Sequence, residues 1–272
     1  MKYGKIMLFS GIALAVSLVM RLLQIIFTVD TSTGFFKTEY TAAGYYLMVM
    51  TAVICAATAF ICFTSHRSPA RPPRTNAFMS AASFLMVPAI FIELYAESFS
   101  GTVMVWQNTL LVLTGIAAAV YFIVFGFTAF ADIKMPQLLA VLPAVYFIMR
   151  IICSFTSISS LALITDNIFL IAAYCVSLVF FLCFGKLYNG IVTDNSFRKL
   201  FASGTVAAIL CFTQSVPHII VNIATSNGYQ HTSNAANYAL FITGVFIAVF
   251  ILSHFSVSNC AEESESERAE QK

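Results

Sequence analysis

The chain has 272 residues, of which 60% are hydrophobic and only 10% are charged, and its formal net charge is +2. A soluble domain carries about 45–50% apolar and about 25% charged residues, so this composition excludes a single globular core in water. We expect lipid to solvate most of the surface, and the small net charge gives no indication of a nucleic acid partner.

Eight apolar segments follow one another along the chain, each close to the length of about 20 residues that a helix needs to cross a bilayer. In chain order they are 6–27, 41–63, 77–96, 103–127, 138–155, 168–184, 200–223 and 238–255. The strict alternation of a membrane β-barrel is absent, and open sheet edges cannot be satisfied in lipid. The sequence therefore predicts an all-α, polytopic integral membrane protein with about eight transmembrane helices.

Basic residues are concentrated before the first segment and in alternate loops. They are Lys2, Lys5, Arg67, Arg71, Arg74, Lys134, Lys186, Arg198 and Lys199. The remaining loops share a single basic residue, Lys37. Because loops rich in lysine and arginine stay in the cytoplasm, this pattern predicts that both termini are cytoplasmic and that the number of spans is even. We expect the plasma membrane as the location.

Sequence blocks of the first half recur in the second half at an offset of 129 residues. AVSLVMRLL at 15–23 aligns with AVYFIMRII at 144–152, and VPAIFIEL at 87–94 aligns with VPHIIVNI at 216–223. The fourth and eighth segments also match at this offset. Three matching blocks that contain residues rare in membrane helices predict that the chain is internally duplicated.

The duplication divides the chain into two four-helix units. The first repeat covers residues 1–130 and the second covers 131–256, and the acidic segment 257–272 is predicted to be a disordered cytoplasmic tail. Because each unit has an even number of helices, both units enter the membrane from the same side. The sequence therefore predicts parallel repeats related by a pseudo-twofold axis along the membrane normal.

Arg21 and Arg150 occupy equivalent positions in the two repeats. A charged residue near the centre of a membrane helix costs about 2.5–3.5 kcal/mol on insertion scales, so its retention needs an explanation. One interpretation is that both guanidinium groups line an outward-facing cavity, where they bind a carboxylate or a phosphate. The alternative is that each arginine extends to the outer lipid headgroups or pairs with an internal acid.

Glu93 and Asn222 are also equivalent, and each lies five residues after a proline of its segment. Glu93 is expected at the same depth as the arginines, which predicts an ion pair with Arg21 or with Arg150. The acid is either a proton or cation site on one side of a pseudo-symmetric cavity, or half of a structural ion pair that holds helices together.

His218 lies in a polar stretch that also contains Gln214, Ser215 and Asn222. A histidine can titrate near neutral pH, whereas a hydrogen-bonded histidine between helices is the plainer interpretation. The sequence contains no P-loop, no G-x-S-x-G, no H-E-x-x-H and no metal-binding spacing of cysteine and histidine. We therefore expect no cofactor, no metal and no enzymatic activity.

These observations favour a small-solute transporter or permease. Its polar, outward-accessible cavity would lie at the repeat interface and be bounded by Arg21, Glu93, Arg150, His218 and Asn222. The partners would be the lipid bilayer and a small polar or anionic solute. The competing interpretation is a non-transporting membrane sensor or regulatory subunit, which binds another membrane protein or a second copy of this chain. The short loops and the acidic tail fit both interpretations.

Overall fold

A computed structural model describes residues 3–30, 36–65, 76–100, 105–130, 136–157, 165–191, 195–224 and 234–270. These residues are folded almost entirely into helices. In chain order the long helices are α1 (Tyr3–Leu23), α2 (Thr41–Ser65), α3 (Ala77–Ser100), α4 (Val105–Phe127), α5 (Leu142–Ser157), α6 (Thr165–Tyr188), α7 (Ser196–Ala224) and α8 (Asn234–Glu270).

Eight helical stretches of the described chain are long and apolar enough to cross a membrane, which indicates an integral membrane protein. They are Lys5–Thr28, Thr38–Thr64, Ala77–Ser98, Val105–Phe127, Leu139–Thr156, Asn167–Tyr188, Ser196–Ala224 and Asn234–Ser253. All eight predicted segments are confirmed as helices. The largest differences between the predicted and the observed helix ends occur where a helix extends into polar residues. A membrane helix can continue into the headgroup region until a loop interrupts it.

The end of α8 differs from the prediction. The sequence predicts disorder over 257–272, whereas the backbone of α8 continues as a helix to Glu270. Glutamate, alanine and arginine are good helix formers, and extending an existing helix avoids the cost of nucleating a new one. Helix α8 thus covers most of the segment 257–272 that the sequence predicts to be disordered.

Helix α7 is the centre of the bundle and packs against α1, α2, α6 and α8. The bundle continues from α8 to α3, from α3 to α4, from α4 to α5 and from α5 to α6. Helices α1 and α2 pack against each other and against α7, and only 22% of the residues in each of their spans are buried, against 67% for α7. The pair α1–α2 is therefore the most weakly attached part of the bundle.

The helix contacts repeat between the two halves only in part. The pair α1–α2 recurs as α5–α6, and α3–α4 recurs as α7–α8. Close packing between α6 and α7 has no counterpart between α2 and α3 in the ranges that the structure describes, and the contact between α3 and α8 has none between α7 and α4. The helix pairs within the two halves are thus similar, whereas the helix contacts between the halves are not symmetric.

An aromatic core fixes α6 between α4, α5 and α8. Its rings are fully buried and stack or meet edge-on, with centroids about 5–6 Å apart as aromatic pairs prefer. They are Tyr121, Phe122, Phe125, Phe147, Phe180, Phe181, Phe184, Phe246 and Phe250. Phe147 also contacts Tyr174, with ring centroids 6.1 Å apart, so the apolar core borders directly on the polar cluster described below.

Close packing at Gly185 predicts a sensitive position. A Cβ atom at Gly185 would lie 2.8 Å from the carbonyl oxygen of Ala140, a backbone atom that cannot move aside. Gly185→Ala is therefore expected to destabilise the protein by about 1–3 kcal/mol, as overpacking does. Thermal unfolding in detergent measures the effect.

Gly11→Ala is the matched control, because a Cβ atom at Gly11 meets nothing within 4 Å. That change should be neutral or slightly stabilising, since alanine favours a helix over glycine by about 1 kcal/mol. Equal unfolding temperatures for the two variants would contradict the close approach of α6 to Ala140.

Candidate functional site

Arg150 is the centre of a buried ionic cluster. Its Nη2 lies 2.7 Å from Glu93 Oε1, and its Nη1 lies 2.9 Å from Glu97 Oε1. Nη2 also donates a hydrogen bond of 2.9 Å to the hydroxyl of Tyr174. The side chains of Arg150 and Glu93 are each only 2% exposed, whereas Glu97 is 16% exposed. The cluster therefore has an enclosed interior and an edge at Glu97.

Both oxygens of Glu93 are held by the protein. Tyr174 donates its hydroxyl to Oε1 over 2.9 Å, and Tyr146 donates its hydroxyl to Oε2. Glu93 and Glu97 are one turn apart on α3, Tyr146 and Arg150 are one turn apart on α5, and Tyr174 comes from α6. Helical spacing of four residues thus places each pair on one face.

The geometry explains how charge is tolerated inside an apolar bundle. A buried arginine or glutamate alone would be very costly, and the cost is offset only when charges are paired and their hydrogen bonds are made. The sequence predicts that Glu93 pairs with Arg21 or with Arg150, and the structure contains the Arg150–Glu93 pair. It rules out, for Arg150, an extension to the headgroups, because the guanidinium is enclosed among α3, α5 and α6.

Arg21 lies in a second buried cluster. It is 1% exposed, and its Nη1 donates a hydrogen bond of 2.6 Å to Oε1 of Gln24, one turn later in the chain. Its Nη2 donates a longer bond of 3.4 Å to Oε1 of Gln214 on α7, and its guanidinium lies 4.2 Å from the ring centroid of Phe169. Gln24 in turn donates to the carbonyl oxygen of Gly44 on α2.

Helix α6 supplies an aromatic surface to both arginines. The guanidinium of Arg21 lies over Phe169, and that of Arg150 lies over Tyr174 at 5.2 Å from the ring centroid. A cation over an aromatic face is attracted by the ring quadrupole, most strongly where water is excluded. The two clusters therefore flank one helix.

Each arginine reaches across to the other half of the chain. Arg21 is on the first helix of the first half and bonds to Gln214 on the third helix of the second half. Arg150 is on the first helix of the second half and pairs with Glu93 on the third helix of the first half. The contacts that join the halves at these positions are thus reciprocal, although the residues that receive the arginines differ.

The two remaining predicted site residues, His218 and Asn222, are on α7. His218 is fully buried on α7, one turn after Gln214. Asn222 is half-buried near the end of α7 and donates a hydrogen bond to Asn234 at the start of α8. The predicted cavity would leave its lining accessible from outside, whereas Arg21, Glu93, Arg150 and His218 are at most 2% exposed. These groups are therefore enclosed rather than open.

Sequence reasoning missed several members of the clusters. Glu97 carried a usable signal, since it follows Glu93 by four residues and falls on the same helix face. Tyr146 likewise precedes Arg150 by four residues. Tyr174 and Gln24 gave no signal, because a single tyrosine or glutamine in a membrane segment fits a peripheral position equally well.

Comparison with known proteins adds nothing to these observations, because no family model, no curated protein and no solved structure matches the chain. Among the described residues, no group of three or more histidine, cysteine or acidic side chains is arranged to hold a metal ion.

The ion pair makes a prediction about stability. Arg150→Met should destabilise the protein by about 3–5 kcal/mol, because it leaves the carboxylate of Glu93 buried without its cation. Adding Glu93→Leu to Arg150→Met should restore much of the loss, since two apolar side chains bury no charge. Thermal or denaturant unfolding in detergent measures both variants.

Glu97→Gln is the control, because Glu97 is partly exposed and its loss leaves the Arg150–Glu93 pair intact. Its effect should be within about 1 kcal/mol, as for partly exposed ion pairs. A double variant no more stable than Arg150→Met would contradict the pairing.

Proposed function

We propose that this chain is a membrane transporter or permease for a small polar or anionic solute, built from two parallel four-helix repeats with both termini in the cytoplasm. The duplicated sequence blocks and the alternating basic loops support this arrangement. The reciprocal reach of Arg21 and Arg150 also supports it, because a pseudo-twofold axis would exchange α1 with α5 and α3 with α7.

The observation that carries the proposal is the enclosed Arg150–Glu93 pair between the two halves. Ionisable residues inside a membrane protein are costly, and those that persist mark solute and ion pathways. Protonation of Glu93, or an anion that competes for Arg150, would weaken the contact between α3 and α5. The pair is therefore a point where a solute or a proton can change how the two halves are joined.

The alternative proposal is a membrane sensor or regulatory subunit without transport. The same cluster favours it in one respect, because Tyr146, Tyr174 and Arg150 together occupy both oxygens of Glu93. A carboxylate that is held at both oxygens serves equally well as a fixed link between helices. The two proposals differ in whether the link must open during the protein's activity.

Flux into proteoliposomes tests the proposal. Radiolabelled lactate, glycine, phosphate and glycerol represent an organic acid, a zwitterion, an inorganic anion and a neutral solute. We expect saturable uptake of at least one of them above protein-free liposomes. Glu93→Gln keeps the shape of the side chain and removes its charge, so it should slow uptake by about tenfold or more if opening of the pair is part of each cycle.

A thermal unfolding measurement on Glu93→Gln shows whether a loss of uptake reflects a loss of folding. Glu97→Gln is the matched control, and its uptake should remain close to that of the unmodified protein. Absence of uptake for all four solutes, together with recovery of a stable membrane protein complex in mild detergent, would contradict transport and favour the regulatory alternative.

A further inference from the structure

A line of polar residues, half-buried at its first member and buried at the others, runs along α1 and continues into the π-helical turn Gln24–Thr28 that follows α1. It consists of Ser10, Ser17, Arg21, Gln24 and Thr28. Successive members are three, four or seven residues apart, so all of them fall on one side of the helix. At 1.5 Å per residue, the α-helical part of the line from Ser10 to Arg21 is about 17 Å long.

Helices α2 and α7 form the opposite walls of this face, and all three helices pack against one another. At one end, Cys62 of α2 donates to Thr205 of α7 over 3.7 Å and lies 4.0 Å from the hydroxyl of Ser10. At the other end, Gln24 bonds to the backbone of α2 and Arg21 bonds to Gln214. We call this polar contact between three helices the α1–α2–α7 seam.

Three polar groups on α1 and α7 are fully buried and have no hydrogen-bond partner within the described ranges. They are the hydroxyls of Ser17 and Thr213 and the side-chain nitrogen of Gln214. Other buried hydroxyls of the seam, such as those of Thr58 and Thr205, donate to the carbonyl four residues earlier. Since buried polar groups are almost always satisfied, these three are groups that an added ligand could satisfy.

The duplicated blocks indicate what that partner is. Ser17 and Arg21 align with Tyr146 and Arg150 at the offset of 129 residues. In the second half, the arginine and the hydroxyl one turn before it hold a carboxylate, that of Glu93. In the first half the hydroxyl belongs to the much smaller serine.

We propose that the α1–α2–α7 seam binds a small carboxylate solute between Ser17, Arg21 and Gln214. This rests on the proposed transport function, and it names the substrate class and the path. The hydroxyl of Ser17 and the amide nitrogen of Gln214 are donors suited to a carboxylate, and guanidinium is the side chain best matched to one.

Because α1 and α2 are weakly attached to the bundle, their separation from α7 would admit such a solute. These two helices bury the smallest share of their spans, 22% each, so they are the helices that can separate from α7 most readily. The aromatic core lies on other helices and stays intact during that movement. The solute therefore passes along the polar line of α1 while α3 to α8 remain packed.

Cysteine modification tests the seam directly. In a background whose seven native cysteines are replaced, Ser17→Cys is compared with Ser83→Cys, which is equally buried but lies where Ser83 bonds to the backbone of α4. We expect an anionic methanethiosulfonate reagent to modify Ser17→Cys about tenfold faster or more, because thiols react only where solvent reaches them. Sodium lactate, the carboxylate probe, should slow that reaction.

A second measurement covers the case in which a cysteine variant does not fold. Lactate should raise the unfolding temperature of the purified protein in detergent, because a ligand stabilises the state that binds it. Ser17→Ala and Gln214→Leu should abolish this rise, and Ser83→Ala should retain it. Equal reactivity of the two cysteine variants, or no effect of lactate on either readout, would overturn the inference.

The outcomes also separate this inference from the proposed function. Uptake of glycerol or glycine without any effect of lactate at Ser17 would leave transport standing and refute the carboxylate site. Protection of Ser17→Cys by lactate without uptake of any solute would support the binding site and contradict transport.

Discussion

The contact on which the structure depends is the ion pair between Arg150 and Glu93. The side chains of both residues are only 2% exposed, and a charge buried to that extent is very costly unless it is paired and hydrogen-bonded. Arg150 therefore requires Glu93 on α3, and Glu93 requires the hydroxyls of Tyr146 and Tyr174. These requirements fix the positions of α3, α5 and α6 relative to one another and join the first half of the chain to the second.

The two arginine clusters contact equivalent helices but differ in the side chains that bind the arginine. Both arginines lie against rings of α6, and both reach the third helix of the opposite half. In the Arg150 cluster, protein groups hold both oxygens of Glu93, and the aromatic core packs against that side of the bundle. The Arg21 cluster adjoins α1 and α2, the least buried helices, and includes buried donors without a partner among the described residues. A fixed link and a solute site are consistent with this difference.

The sequence predicted the eight helices well because length and hydropathy alone decide whether a segment can span a bilayer. It also identified Arg21, Glu93 and Arg150, since charges stand out in apolar segments. It could not decide which arginine pairs with Glu93, because that choice depends on how the helices pack across the two halves. It likewise could not show that these three charged groups are enclosed, because enclosure depends on neighbouring helices that helical periodicity alone leaves undefined. The helical backbone at the end of α8 was not predicted, because composition indicates solvation rather than conformation.

The most direct test is infrared difference spectroscopy of the unmodified protein against Glu93→Gln, with both proteins in lipid. The ion pair predicts that the substitution removes the bands of an ionised carboxylate and shifts the guanidinium bands of Arg150. Loss of the carbonyl band of a protonated carboxyl group instead, with the guanidinium bands unchanged, would contradict an ion pair at the junction of the two halves.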